Sequence, residues 1–97
     1  MAPPDDFYGA AESGNMGRLQ EVFAGGSNVD VNRLDPKGHT ALILAIGRGH
    51  TDVVKLLLSH GADPNKNDSH GLSPKIAAHY RGNFEIMQAL DRAAAKH

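Results

Sequence analysis

Between Thr51 and His60 the apolar residues Val53, Val54, Leu57 and Leu58 return at steps of one, three and one. That spacing predicts a helix with one greasy face. A shorter apolar run, Leu42, Ile43, Ala45 and Ile46, precedes it and is stopped by Gly47 and Gly49. Ahead of that run, Asp35-Pro36-Lys37-Gly38 has the chemistry of a type I turn, with Asp first, Pro second and Gly last. Thr40 sits where a helix N-cap belongs. His60-Gly61 closes the second helix, Gly61 supplying a left-handed cap. The last third follows the same plan. Asp68-Ser69-His70-Gly71 is the turn, Ser73 the cap, and Pro74 the first helical residue, where a missing N–H costs nothing. Asn83 then introduces a second helix with Ile86, Met87 and Leu90 on its face.

The plan recurs at a fixed interval. At an offset of 33, Asp35 meets Asp68, Gly38 meets Gly71, Thr40 meets Ser73, Ala45 meets Ala78 and Gly49 meets Gly82. Val53 meets Ile86, and Leu57 meets Leu90. The first third joins at an offset of 35. Ala10-Ala11-Glu12-Ser13-Gly14-Asn15 aligns with residues 45–50, and Leu19, Val22 and Phe23 align with Val54, Leu57 and Leu58. The two extra residues fall in Gly25-Gly26-Ser27-Asn28-Val29, read as a loop that tolerates insertion. Three units result, at about 1–34, 35–67 and 68–97. Each helix is too short to be stable alone. Their apolar faces must be buried against neighbouring units, which predicts an all-α solenoid of helix-turn-helix units joined by β-turn or hairpin loops in one domain, 1–97.

Ninety-seven residues suit one small domain. Forty per cent hydrophobic and 22% charged residues mark a folding chain, not a disordered one. The formal net charge of -1 gives no general pull toward nucleic acid or anionic lipid. The absence of cysteine removes disulfides, thiolate chemistry and cysteine metal sites. The longest apolar run, Ala41 to Ile46, is far too short for a membrane span. The start, Met1-Ala2-Pro3-Pro4-Asp5-Asp6, lacks the features of a secretory signal. The resulting expectation is an intracellular, cytoplasmic monomer.

Residues 35–50, running from Asp-Pro-Lys-Gly-His-Thr-Ala-Leu to Gly-Arg-Gly-His, resemble the opening of an ankyrin repeat. Residues 51–65, ending Gly-Ala-Asp-Pro-Asn, resemble its remainder, and the likeness covers roughly residues 5–90. The first and last units resemble capping repeats. The family's usual Thr-Pro-Leu-His becomes Thr40-Ala41-Leu42-Ile43 in the middle unit, without the histidine. It becomes Ser73-Pro74-Lys75-Ile76 in the last, with Lys75 where a buried leucine is expected. A charge is not buried unpaired, so Lys75 must reach solvent or Ile76 must rotate inward in its place.

The chemistry-bearing residues point away from catalysis. Ser13, Ser27, Ser59, Ser69 and Ser73 lie in caps or loops, none in a nucleophile elbow. Gly25-Gly26-Ser27 lacks the lysine and the preceding strand of a phosphate loop. Asp5 and Asp6 are read as helix caps. No two of the six histidines share the i, i+4 spacing of a helical metal site. Only His39 and His70, on adjacent turn tips, make a plausible pair. The expectation is therefore no catalytic residue, no metal and no cofactor.

The resemblance implies a protein partner, bound at the hairpin tips and on the inner face of the first helices; a nucleic acid or membrane partner is not expected. Matched position by position, the tips supply Pro36, Lys37 and His39, then Ser69, His70 and Leu72. The first helices supply Glu12 and Ser13, then Gly47 and Arg48, then Tyr80 and Arg81. Leu72 is either a contact or an idle exposed side chain. Tyr80 and Arg81 are the favoured anchors, because Tyr and Arg are enriched among energetic contacts. Residues 1–34 carry net charge -3 and the two later units +1 each, so a partner with carboxylates suits the later tips. Family asparagines at the position of Asn32 and Asn65 are hydroxylation targets, which makes these two residues candidates for modification. The competing reading is a scaffold that binds nothing of its own.

Overall fold

The computed structural model describes residues 3–25 and 29–95. The insertion loop proposed at Gly25–Val29 therefore lies mostly outside the described residues, as does Ser27. Six helices follow one another: α1 (Asp6–Ser13), α2 (Met16–Ala24), α3 (Ala41–Gly47), α4 (Thr51–Ser59), α5 (Pro74–Arg81) and α6 (Phe84–Ala95). No strand occurs among the described residues. Helices pack in pairs, α1 with α2, α3 with α4 and α5 with α6. The first helices then stack, α1 on α3 and α3 on α5, while α4 packs on α6.

Local chemistry sets the helix ends. The Thr40 hydroxyl accepts the Ile43 N–H at 3.1 Å and the Ser73 hydroxyl accepts that of Ile76 at 3.0 Å. The Asn15 and Asn83 side chains do the same for Arg18 and Ile86, at 3.1 and 3.0 Å. Each such bond satisfies a donor that the helix itself cannot. His50 occupies the equivalent place before α4 but makes no cap; its Nε2 meets the Glu12 carbonyl of the preceding unit at 2.9 Å. Gly14 lies directly beneath that ring. A Cβ there would come within 2.9 Å of the imidazole, and its φ of 79° already favours glycine.

The seam predicted by the repeat is present. Phe7, Leu19, Ile46, Val53, Val54, Leu57 and Ile86 are all fully buried, in a core that runs through the three helix pairs. Phe23 of α2 stacks flat on His60 beyond α4, with ring centres 3.9 Å apart.

Three readings take a definite form. Asp5 is the N-cap residue of α1 but makes no side-chain cap bond, and Asp6, the acid of the first turn, binds the Arg18 guanidinium through both carboxylate oxygens, at 2.6 and 3.0 Å. Arg18 holds the Asp6 carboxyl below the ordinary range. Leu72 is not an idle exposed side chain, because it is half-buried and packs against the core. Of the alternatives at the last unit, Lys75 reaches solvent; Ile76 does not turn inward and remains 48% exposed.

Leu57 is wholly enclosed, so Leu57→Ala removes packing without relief. A loss of about 2–5 kcal/mol is expected, read as a lower urea midpoint. An unchanged midpoint would show that Leu57 is not in the seam.

Candidate functional site

The hairpin tips are built by two aspartates in the same role. The Asp35 carboxylate accepts the N–H groups of Lys37 and His39 at 3.0 and 2.8 Å, and its own N–H donates to the His39 carbonyl. Asp68 repeats this with His70 and Leu72, both at 2.9 Å. Each carboxylate replaces backbone partners that a tight turn cannot provide.

The second tip is tied to the first. Ser69 N–H donates to the Gly38 carbonyl at 2.9 Å, and His70 Nε2 lies 3.1 Å from the Lys37 carbonyl. Gly38 has φ 84°, and a Cβ there would fall 1.7 Å from the Ser69 hydroxyl. Only glycine lets the tips approach this closely. His39 and His70 rings stand 5.4 Å apart, and His39 Nδ1 is 3.7 Å from the Asp68 carboxylate. The two histidines paired in the sequence thus meet in space. No group of three or more His, Asp or Glu side chains placed to hold a metal occurs among the described residues.

Asp68 is the buried charge of this junction. Burial alone would push its carboxyl up. The N–H groups of Leu72 and His70, together with the nearby imidazoles, outweigh that effect and hold it below the usual carboxylate value.

Of the expected contact residues, Glu12, Pro36, Lys37 and His39 line one hollow of about 290 Å³, together with Asp5, Tyr8 and Leu44. Arg48 reaches the same place, its guanidinium 3.3 Å from the Glu12 carboxylate. The Tyr8 hydroxyl donates to the Arg33 carbonyl at 2.8 Å; burial and then nearby Asp35 raise its pKa. Ser69 and His70 stand beside this hollow on the second tip. Ser13 is exposed, and its hydroxyl turns back to the Ala10 carbonyl. Arg81 lies against Gly49, where a Cβ would stand 3.0 Å from the guanidinium. Tyr80 lines a different hollow, with Lys75, Ile76, His79 and Met87, on the last unit. The anticipated residues therefore fall in two places, the junction of units one and two and the last unit.

The two asparagines differ. The Asn32 side chain spans two units, donating to the Gly61 carbonyl at 3.2 Å and accepting the Asp63 N–H at 2.7 Å. Asn65 is exposed, and its backbone N–H binds the Asp63 carboxylate at 2.8 Å. Asn32 as a tie between units, like His50 on Glu12, was not foreseen.

Comparison with known proteins agrees with this geometry. Residues 7–96 match the family profile described as ankyrin repeats in three copies. The chain is 40% identical over 88 residues to mouse ankyrin repeat and SAM domain-containing protein 6, covering 90% of this chain and 10% of that protein. It is 36% identical over 91 residues to the putative ankyrin repeat protein YahD of Escherichia coli, covering 89% and 45%. Over 77 residues it is 40% identical to potassium channel AKT1 of Arabidopsis thaliana, covering 79% and 9%. The chain spans less than half the length of each of these relatives.

The lowered pKa of Asp68 has a signed consequence. Its contribution to stability is present above the unfolded carboxylate value, about 3.9, and is lost as pH falls through the lower folded value. The urea midpoint of the wild type should thus fall more steeply below about pH 4 than that of Asp68→Asn. Parallel pH profiles would contradict this role.

Proposed function

The chain belongs to the ankyrin-repeat family, and from that membership we propose that it is a protein-binding module that holds its partner against the concave side of units one and two. Ankyrin repeats are generally protein–protein interaction modules and generally non-catalytic. No helix among the described residues is long and apolar enough to cross a membrane. The finer reading takes the three units, at about 1–34, 35–67 and 68–97, as one binding domain.

The observation that carries this reading is the hollow lined by Glu12, Pro36, Lys37 and His39, with Arg48 at its edge. It lies where the first helices meet the hairpin tip. The tip is held rigidly by Asp35 and by the second tip, so little order must be gained on binding. Within this hollow Asp35 is occupied by backbone N–H groups and Glu12 is paired with Arg48, which leaves Lys37 to meet a partner carboxylate. Under the modification reading, Asn65 is the accessible target, since Asn32 would first have to release both bonds to the next loop.

Capture from a cell lysate, followed by calorimetry with the captured protein, tests the binding reading. Lys37→Glu should weaken the partner about tenfold or more, near 1.4 kcal/mol. Equal affinity in a variant that keeps its helices would move the contact elsewhere.

A further inference from the structure

The last unit leaves large apolar side chains in water. Of the four that stand exposed among the described residues, three belong to it: Ile76 at 48%, Phe84 at 68% and Tyr80 at 83%. Single exposed apolar residues are ordinary, but a cluster of them marks a surface that something covers. Ile76, Tyr80 and Met87, with Lys75 and His79, line a hollow of about 630 Å³ on α5 and α6.

The repeat register identifies this side. At an offset of 33, Lys75, Ile76, His79 and Met87 correspond to Leu42, Ile43, Ile46 and Val54, all buried in the middle unit, on which α5 and α6 stack. The hollow is thus the face on which a further helix pair would sit. The first unit carries charge at the matching kind of position. There Asp6 and Arg18, the counterparts of Ala41 and Val53 at an offset of 35, pair with each other.

Charge placement selects the occupant. Lys75 and His79 are one turn apart on α5. Asp91 is one turn past Met87 on α6, and its counterpart Leu58 packs against the core. Lys75 lies about 9 Å before the end of α5, and Asp91 about 10 Å past the start of α6, at 1.5 Å per residue. The two thus stand level on neighbouring helices, and they form no ion pair with each other. A two-fold axis running along and between α5 and α6 lays each α5 over the other copy's α6. It brings every Lys75 to an Asp91 and encloses the apolar side chains between them. A head-to-tail stack would instead press the Asp6–Arg18 pair onto Lys75 and His79, burying charge at a cost, and would not close.

We propose that the outer face of α5 and α6 binds the same face of a second copy, forming a two-fold dimer with Lys75–Asp91 pairs flanking Ile76, Tyr80 and Met87. Sedimentation equilibrium across the micromolar to millimolar range tests this. The mass of the wild type should rise from one chain toward two. Lys75→Glu alone, or Asp91→Lys alone, should hold it at one chain. The combined variant should recover the rise, because the pair re-forms with its signs exchanged. Circular dichroism follows folding, and Tyr80→Asp provides a disruption that does not depend on the charge swap. A wild type that stays at one chain overturns the proposal. So does a helical combined variant without recovery, a Tyr80→Asp protein that still dimerises, or a mass that climbs past two chains.

Discussion

Every helix pair in this chain depends on a neighbour to bury its apolar face. Helices of seven to twelve residues do not persist in water on their own. They persist here because Phe7, Ile46, Val54, Leu57 and Ile86 share one continuous core across the stack. Stability then resides in the junctions between units as much as in the units. The hydrogen bonds that matter most for shape also sit there: His50 on the Glu12 carbonyl, Asn32 on Gly61 and Asp63, and Ser69 on Gly38.

The same junctions shape the surface proposed to bind. Each of the two tips is closed by its own aspartate, and the second is tied to the first. The buried Asp68 carboxylate organises the second turn and faces His39 of the first. The concave side is therefore set by the stack, and side chains such as Lys37 and Arg48 project from a fixed frame. The two ends of that frame differ in chemistry. An ion pair lies on the first unit, whereas exposed Ile76, Tyr80 and Phe84 mark the last.

Much of this was legible in the sequence because its causes are local. Turn, N-cap and apolar spacing are written within a few residues, so the Asp35 and Asp68 turns, the Thr40 and Ser73 caps and the helix faces could all be read directly. The period then supplied the stacking. Lys75 was also legible as a misfit, since the repeat shows which position it interrupts. Contacts between units were not. Nothing adjacent to Asn32, His50 or Asp6 announces a partner 12 to 38 residues away. The packing of Leu72 against the core was hidden for the same reason: a tip residue turns inward only when the stack provides a core for it. The grouping of Glu12 with Lys37, and its separation from Tyr80, likewise follows from the stacking geometry and not from position within a repeat.

Amide hydrogen exchange in the wild type and in Ile86→Ala tests the shared core most directly. Ile86 is fully buried in the last unit, and Ala45 and Leu57 lie in the middle one. If the units stand only by mutual burial, the substitution lowers protection at Ala45 and Leu57 along with that of α6. Unchanged protection in α3 and α4, with loss confined to α5 and α6, would mean that the middle unit stands without its neighbour.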